Sequence, residues 1–326
     1  MKKAICLPAL FLCLVLKTFA QTTPPQAEIS NGIVRAKLYL PDEKTGYYRG
    51  TRFDWAGVIA SLDFKNHSYF GPWFERYDPK LHDAISGPVE EFTGLGYETA
   101  KAGETFIKIG VGVLRKPNEP KYHFSTPYEL VDAGTWTVKP GPDRVNPDRV
   151  DFTQQLTDAT GYAYTYRKTL RLTPGKPELV LEHSLKNTGN RVIETSVYNH
   201  NFLVMDRQPS GPDFVVKFPF DLRTTDSLNG KVKVQGKELI YERALKARES
   251  SYSNLQGFGS SAQDYDIRVE NRKTGAGVRI RGDRPIDKLA FWTNPTNLSP
   301  EPFIKLRIEP GQETTWNLTY EFYSLR

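Results

Sequence analysis

Hydrophobic and polar positions alternate with a period of two along most of this chain, the signature of strands with one buried face. Short alternating runs separated by turn residues occupy 106–114, 128–138, 150–156, 163–172, 178–185 and 191–198. They resume at 213–218, 231–234, 266–271, 277–281, 289–293, 304–308 and 314–323. Upstream, 29–39 is interrupted by Asn31-Gly32, a hairpin turn signal, and 51–64 reads as one further strand. In such a strand Arg52 and Asp54, two residues apart, share a face. Only 238–249, ELIYERALKARE, reads as a helix, and 69–97 reads as a long irregular loop rich in aromatics, proline and glycine. No linker divides the chain. The pattern predicts an all-β fold, one large sandwich of two or more sheets spanning 21–326.

The first twenty residues depart from that pattern. Lys2 and Lys3 precede an apolar run from Ala4 to Leu16, and Ala20 precedes a polar Gln-Thr-Thr-Pro-Pro stretch. This reads as a secretory signal peptide over 1–20, cleaved before Gln21, with a core too short to span a bilayer. The expectation is an exported protein, periplasmic or extracellular. Both cysteines, Cys6 and Cys13, lie in this leader, so the remainder has no thiol for a disulfide, a zinc site or a nucleophile. The formal charge of +6 is small for 326 residues and shrinks further without Lys2, Lys3 and Lys17. Neither a nucleic acid nor a membrane is an expected partner.

Chemistry concentrates in two places. The run Glu194 to Asp206, ETSVYNHNFLVMD, brings a strand to its end at Asn199, His200 and Asn201 between Tyr198 and Phe202. Three polar side chains there are costly to bury unless each finds a partner, which makes them candidates for a binding site or for a satisfied turn. In the irregular loop, Trp73, Phe74, Tyr77 and Phe92 stand beside Glu75, Arg76, His82, Glu90 and Glu91. That mixture suits a sugar, whose C–H faces stack on rings while carboxylates and arginine meet its hydroxyls. The expected partner is therefore a carbohydrate. No Walker loop, zinc-spaced histidine pair or GxSxG is present, and Gly110-Val111-Gly112 lacks a third glycine, so no metal or nucleotide cofactor is expected.

Two motifs carry a family resemblance over nearly the whole chain beyond the leader. YNHNF, 198–202, resembles the Asn-His strand end of the aldose 1-epimerase (galactose mutarotase) family. SPEPFIKLRIEPGQETTWNLTYEFY, 299–323, resembles that family's C-terminal pattern of a Glu-Pro, a strand, a Pro-Gly turn and a final strand. The resemblance implies a galactose-mutarotase-like β-supersandwich and interconversion of sugar anomers by acid/base ring opening. It implies His200 as the acid at the ring oxygen and Glu301 as the base at the anomeric hydroxyl, the two converging across a pyranose-sized hollow. His82 stands for the family's second histidine and Arg52 for its arginine. Asn199, Trp73 and Glu91 complete the expected sugar-binding set, and Asp206 and Asp226 compete for the family aspartate. Glu301 lies between two prolines, unlike the family's Leu-Glu-Pro-Gln setting. Other chemistries live on this fold, so a polysaccharide lyase using Tyr198 or Tyr77, or a protein that only binds sugar, remain the alternatives.

Overall fold

The structure, a computed structural model, describes residues 23–142, 147–224, 228 and 230–325. The leader and Asp226 lie outside the described residues.

Among the described residues four antiparallel sheets account for the strands. The largest has ten, ordered Val232–Gln235, Glu238–Tyr241, Phe214–Lys217, Asp266–Asn271, Ala276–Gly282, Glu313–Ser324, Glu178–Asn187, Ala163–Leu172, Arg149–Thr157 and Thr135–Pro140. A six-stranded sheet runs Arg223–Thr224, Ser251–Gln256, Lys288–Thr293, Leu298–Ile308, Ile193–His200 and Val89–Phe92. Two N-terminal hairpins, Gln26–Ser30 through His67–Phe70, make a four-stranded sheet, and Thr105–Lys108, Gly112–Arg115 and Glu129–Asp132 make a small three-stranded sheet of their own. The first hairpin turns at Gly32, whose φ of 79° suits glycine.

Alternation builds the core. Along Glu178–Asn187 the inward set is Leu179, Leu181, His183, Leu185 and Asn187, and its neighbour supplies Trp316, Leu318, Tyr320 and Phe322. Against them the six-stranded sheet sends Ile193, Val197, Ile304, Leu306 and Ile308. A second apolar cluster, with Phe53, Trp55, Phe106, Tyr128 and Phe202 at its centre, lies under the loops that cover the other face of the six-stranded sheet. That cover is visible in the burial of the strands themselves. Ile193–His200 alternates until Val197 and is then buried on both faces, and Leu298–Ile308 is buried on both faces from Leu298 to Pro302. Those doubly buried ends are where the polar residues of the two motifs sit.

Three sequence expectations change. The helix expected over 238–249 is instead the strand Glu238–Tyr241 followed by a turn, because Leu239 and Tyr241 pack inward at period two and pairing on both sides overrides helix propensity. The turn is closed by Arg243, which grips Glu249 through two nitrogens at 2.7 and 2.8 Å. The strand expected over 51–64 begins only at Val58, after Gly57 at φ 71°. Arg52 and Asp54 therefore share no strand face. Finally, the irregular 69–97 segment contains a strand, Val89–Phe92, whose four residues are all buried.

Candidate active site

Strand register assembles one face of the six-stranded sheet. Tyr198 pairs with Phe303 on one side and Glu91 on the other, and Ala290 pairs with Glu301. Continuing the Tyr198–Phe303 register by two residues sets His200 beside Glu301, on the face that carries Tyr198 and Glu91. Above it opens a cleft of about 580 Å³ whose walls include Arg52, Glu91, Tyr198, Glu301 and Phe303, roofed by Tyr122 and Phe124.

His200 and Glu301 meet directly. Nε2 of the imidazole lies 3.2 Å from Oε1 of the carboxyl, and both side chains are buried. The expected hollow between them is absent, since the two are in contact. Glu301 forms part of the cleft wall, whereas His200 lies off it, stacked on Phe202 at 3.6 Å and edged by Phe53 and Trp292. Neither His200 Nδ1 nor Glu301 Oε1 makes a hydrogen bond, so the approach is close but not well aligned. Burial pushes the Glu301 carboxyl up to about 8, with the Arg52 charge opposing and the Glu91 charge adding. Burial and then Arg52 push the His200 imidazole well below its usual value. At neutral pH the pair is therefore an uncharged carboxylic acid beside an uncharged imidazole.

A charged network supports the floor. Arg52 donates from Nε to Glu91 Oε2 at 2.8 Å, from Nη1 to Asp83 and from Nη2 to the Tyr198 hydroxyl at 3.1 Å. Tyr198 in turn donates to Glu91 Oε2 at 2.7 Å, and Lys108 reaches Glu91 Oε1 at 3.1 Å and the Tyr122 hydroxyl at 2.8 Å. Two cations thus face two anions. Burial would raise Glu91, but Lys108 and Arg52 outweigh it and hold the carboxyl down at about 2. Burial and the Glu91 charge push the Tyr198 phenol well above its usual range, so it stays protonated. Among the described residues no group of three or more His, Cys, Asp or Glu is gathered as a metal site.

Of the residues expected to bind sugar, Arg52 and Glu91 line the cleft. The other three do not. His82 sits behind Asp83, its Nε2 3.2 Å from Oδ2 and its ring tilted against Phe124. Trp73 stacks on Phe202 at 5.0 Å, donates to the Ile85 carbonyl and borders a separate hollow with Phe74 and Arg207. Asn199 points the opposite way from Tyr198 and His200, as strand alternation requires, and donates to Glu90 Oε1 at 2.9 Å. Glu90 there belongs to an interior charge cluster. It is held by Lys168 and by His183 Nε2 at 2.8 Å, and Lys168 also reaches the Ala56 carbonyl at 2.9 Å and Asp54 at 3.6 Å. Asp206 is likewise occupied elsewhere, by His67 and the Ser68 amide at 2.9 Å each.

The strand pattern alone left out Lys108, Asp83, Tyr122 and Phe124. Lys108 had a signal, a single charge inside the apolar run FIKIGVGVL, which can be buried only if paired. The other three stand on irregular segments where no period points a side chain anywhere.

No family model and no curated protein matches this chain. Solved structures do. A protein from Synechocystis superposes at a TM-score of 0.60 and 14% identity, over 95% of this chain and 100% of that one. A galactose mutarotase-like protein from Lactobacillus casei gives 0.55 and 14% over 92% and 100%, and a putative aldose 1-epimerase from Escherichia coli K12 gives 0.53 and 12% over 92% and 99%. At such identities the likeness is one of fold. The chain has the galactose mutarotase-like fold, nearly all β and a single domain.

Proposed function

We propose that this galactose mutarotase-like chain interconverts the anomers of a reducing sugar, with Glu301 and His200 sharing the proton traffic. The observation that carries the reading is a buried, uncharged carboxylic acid on the cleft wall with an unpartnered oxygen, touching an uncharged imidazole. Anomer exchange needs one proton delivered to the ring oxygen and one removed from the anomeric hydroxyl. C1–O5 then breaks, the aldehyde rotates and the ring closes on its other face. The two oxygens are geminal, closer together than a hydrogen-bond length, so a proton donor and an acceptor in contact suit them better than two groups held far apart.

The pair starts and ends each turnover with one labile proton. Glu301, which holds it at neutral pH, gives it to O5, and the pair accepts the O1 proton in exchange. The resemblance had the proton on His200; the two buried environments favour it on Glu301. Arg52 and Glu91, fixed by Asp83, Lys108 and Tyr198, are placed to hold ring hydroxyls. The lyase alternative needs a tyrosine whose phenol is brought down toward neutrality, and both Tyr198 and Tyr77 are moved the other way by burial.

Purified protein is expected to speed α/β equilibration of a free aldose, read by polarimetry or NMR. Equal inertness of wild type and Glu301→Gln across common hexoses and pentoses would sink the reading. Export is proposed from the leader alone, and intact-mass analysis of secreted protein beginning at Gln21 would test it.

A further inference from the structure

We propose that the cleft takes a reducing oligosaccharide of at least two rings, the second seated against Tyr252. This rests on the anomer-exchange reading, which places the reducing ring at Glu301. The walls of the cleft extend from Tyr252 on Ser251–Gln256 to Thr93 and Gly94, just past Val89–Phe92. Those strands lie two places to either side of Leu298–Ile308, the strand that carries Glu301. At about 4.8 Å per strand the cleft reaches about 10 Å sideways from Glu301 in both directions. From ordinary bond lengths a hexopyranose measures about 5 Å from O1 to O4. One ring at Glu301 therefore leaves the cleft's two arms unfilled.

The arm toward Tyr252 has the chemistry of a sugar platform. Tyr252 is 47% exposed, one of the few large apolar side chains among the described residues to be so open, and it stands on the cleft wall. Its hydroxyl donates to Asn254 Oδ1 at 3.2 Å, on the same sheet face. An exposed aromatic ring on a cleft wall stacks against the C–H face of a pyranose. The other arm is more enclosed, walled by Tyr97 and Tyr122. Charge narrows the class further. Arg52 and Lys108 are already matched by Asp83 and Glu91, Lys121 and Glu98 on the wall offset each other in charge, and Glu301 is uncharged at neutral pH. The wall therefore carries no net positive charge to select a uronate, so the ligand is a neutral glycan.

The test compares kcat/KM for anomer exchange on maltose, cellobiose and lactose with that on glucose and galactose, using the full chain and NMR exchange. Wild type is expected to prefer at least one disaccharide over its parent hexose. Tyr252→Ala is expected to lower that disaccharide-to-monosaccharide ratio about tenfold, and Tyr252→Phe to keep it, because the ring and not the hydroxyl does the stacking. A ratio unchanged in Tyr252→Ala, or disaccharides excluded by wild type while hexoses react, overturns the second-ring site and leaves anomer exchange standing. Wild type inert on every sugar overturns both.

Discussion

His200 Nε2 and Glu301 Oε1 lie 3.2 Å apart on neighbouring strands, and burial makes the carboxyl the weaker acid and the imidazole the weaker base than either is in water. Their pH response follows. Glu301 loses its proton as pH rises through about 8, so kcat/KM for anomer exchange is expected to fall above that value. Protonation of His200 lies well below 6.5, so no loss is expected just under neutrality. A pH–rate profile that declines already on the acid side of neutrality, and is flat through pH 8, would contradict the assignment.

The same carboxyl sets a stability expectation. Its folded value of about 8 exceeds the ordinary 4.5, so its contribution is fully present below 4.5 and is lost as pH rises through about 8. Glu301→Gln, which cannot ionise, should therefore be more stable than wild type above pH 8, on the order of 3 kcal/mol. Thermal melts of the two proteins across that range check it. Identical melting curves at alkaline pH would mean that Glu301 ionises without strain.

Glu91 behaves in the opposite sense. Held down to about 2 against an ordinary 4.5, it contributes stability that is present above 4.5 and lost as pH falls toward 2. Glu91→Gln leaves Arg52 and Lys108 buried without their shared anion and is expected to cost about 3–5 kcal/mol. Denaturant titration should register that loss at neutral pH, and the gap between wild type and variant should narrow in acid. A neutral-pH difference below about 1 kcal/mol would show the network to be dispensable.

Asn199 separates a structural role from a binding one. Its amide bonds Glu90 inside the sandwich, on the side of the strand away from the cleft. Asn199→Ala is expected to lower stability by about 1–3 kcal/mol while KM for sugar stays put. A raised KM with unchanged melting would return Asn199 to the sugar.

How much of this was legible in the sequence depended on periodicity. The alternating runs gave an all-β fold, and the motifs at 198–202 and 299–323 led to two residues that do meet in space. Asn199 failed because the strand continues through it, so alternation turns it away from the neighbours that suggested its role. Arg52 came out at the cleft, but not by the strand argument that paired it with Asp54, since the chain there is a loop and the two side chains enter different charge clusters. Val89–Phe92 was hidden because its two adjacent acids, Glu90 and Glu91, are buried on opposite faces, and a doubly buried strand has no polar side to reveal it. Trp73 and His82 had the right composition for a sugar surface, yet which way a loop residue points is fixed by packing partners far along the chain, Phe202 and Phe124.

The most direct test of the account is the rate of α/β exchange of a free aldose, measured by NMR with wild type and with Glu301→Gln. Wild type should accelerate exchange well beyond buffer, and the variant should lose about 10²–10⁴ of that acceleration while remaining folded. A folded Glu301→Gln protein that exchanges anomers as fast as wild type would contradict it.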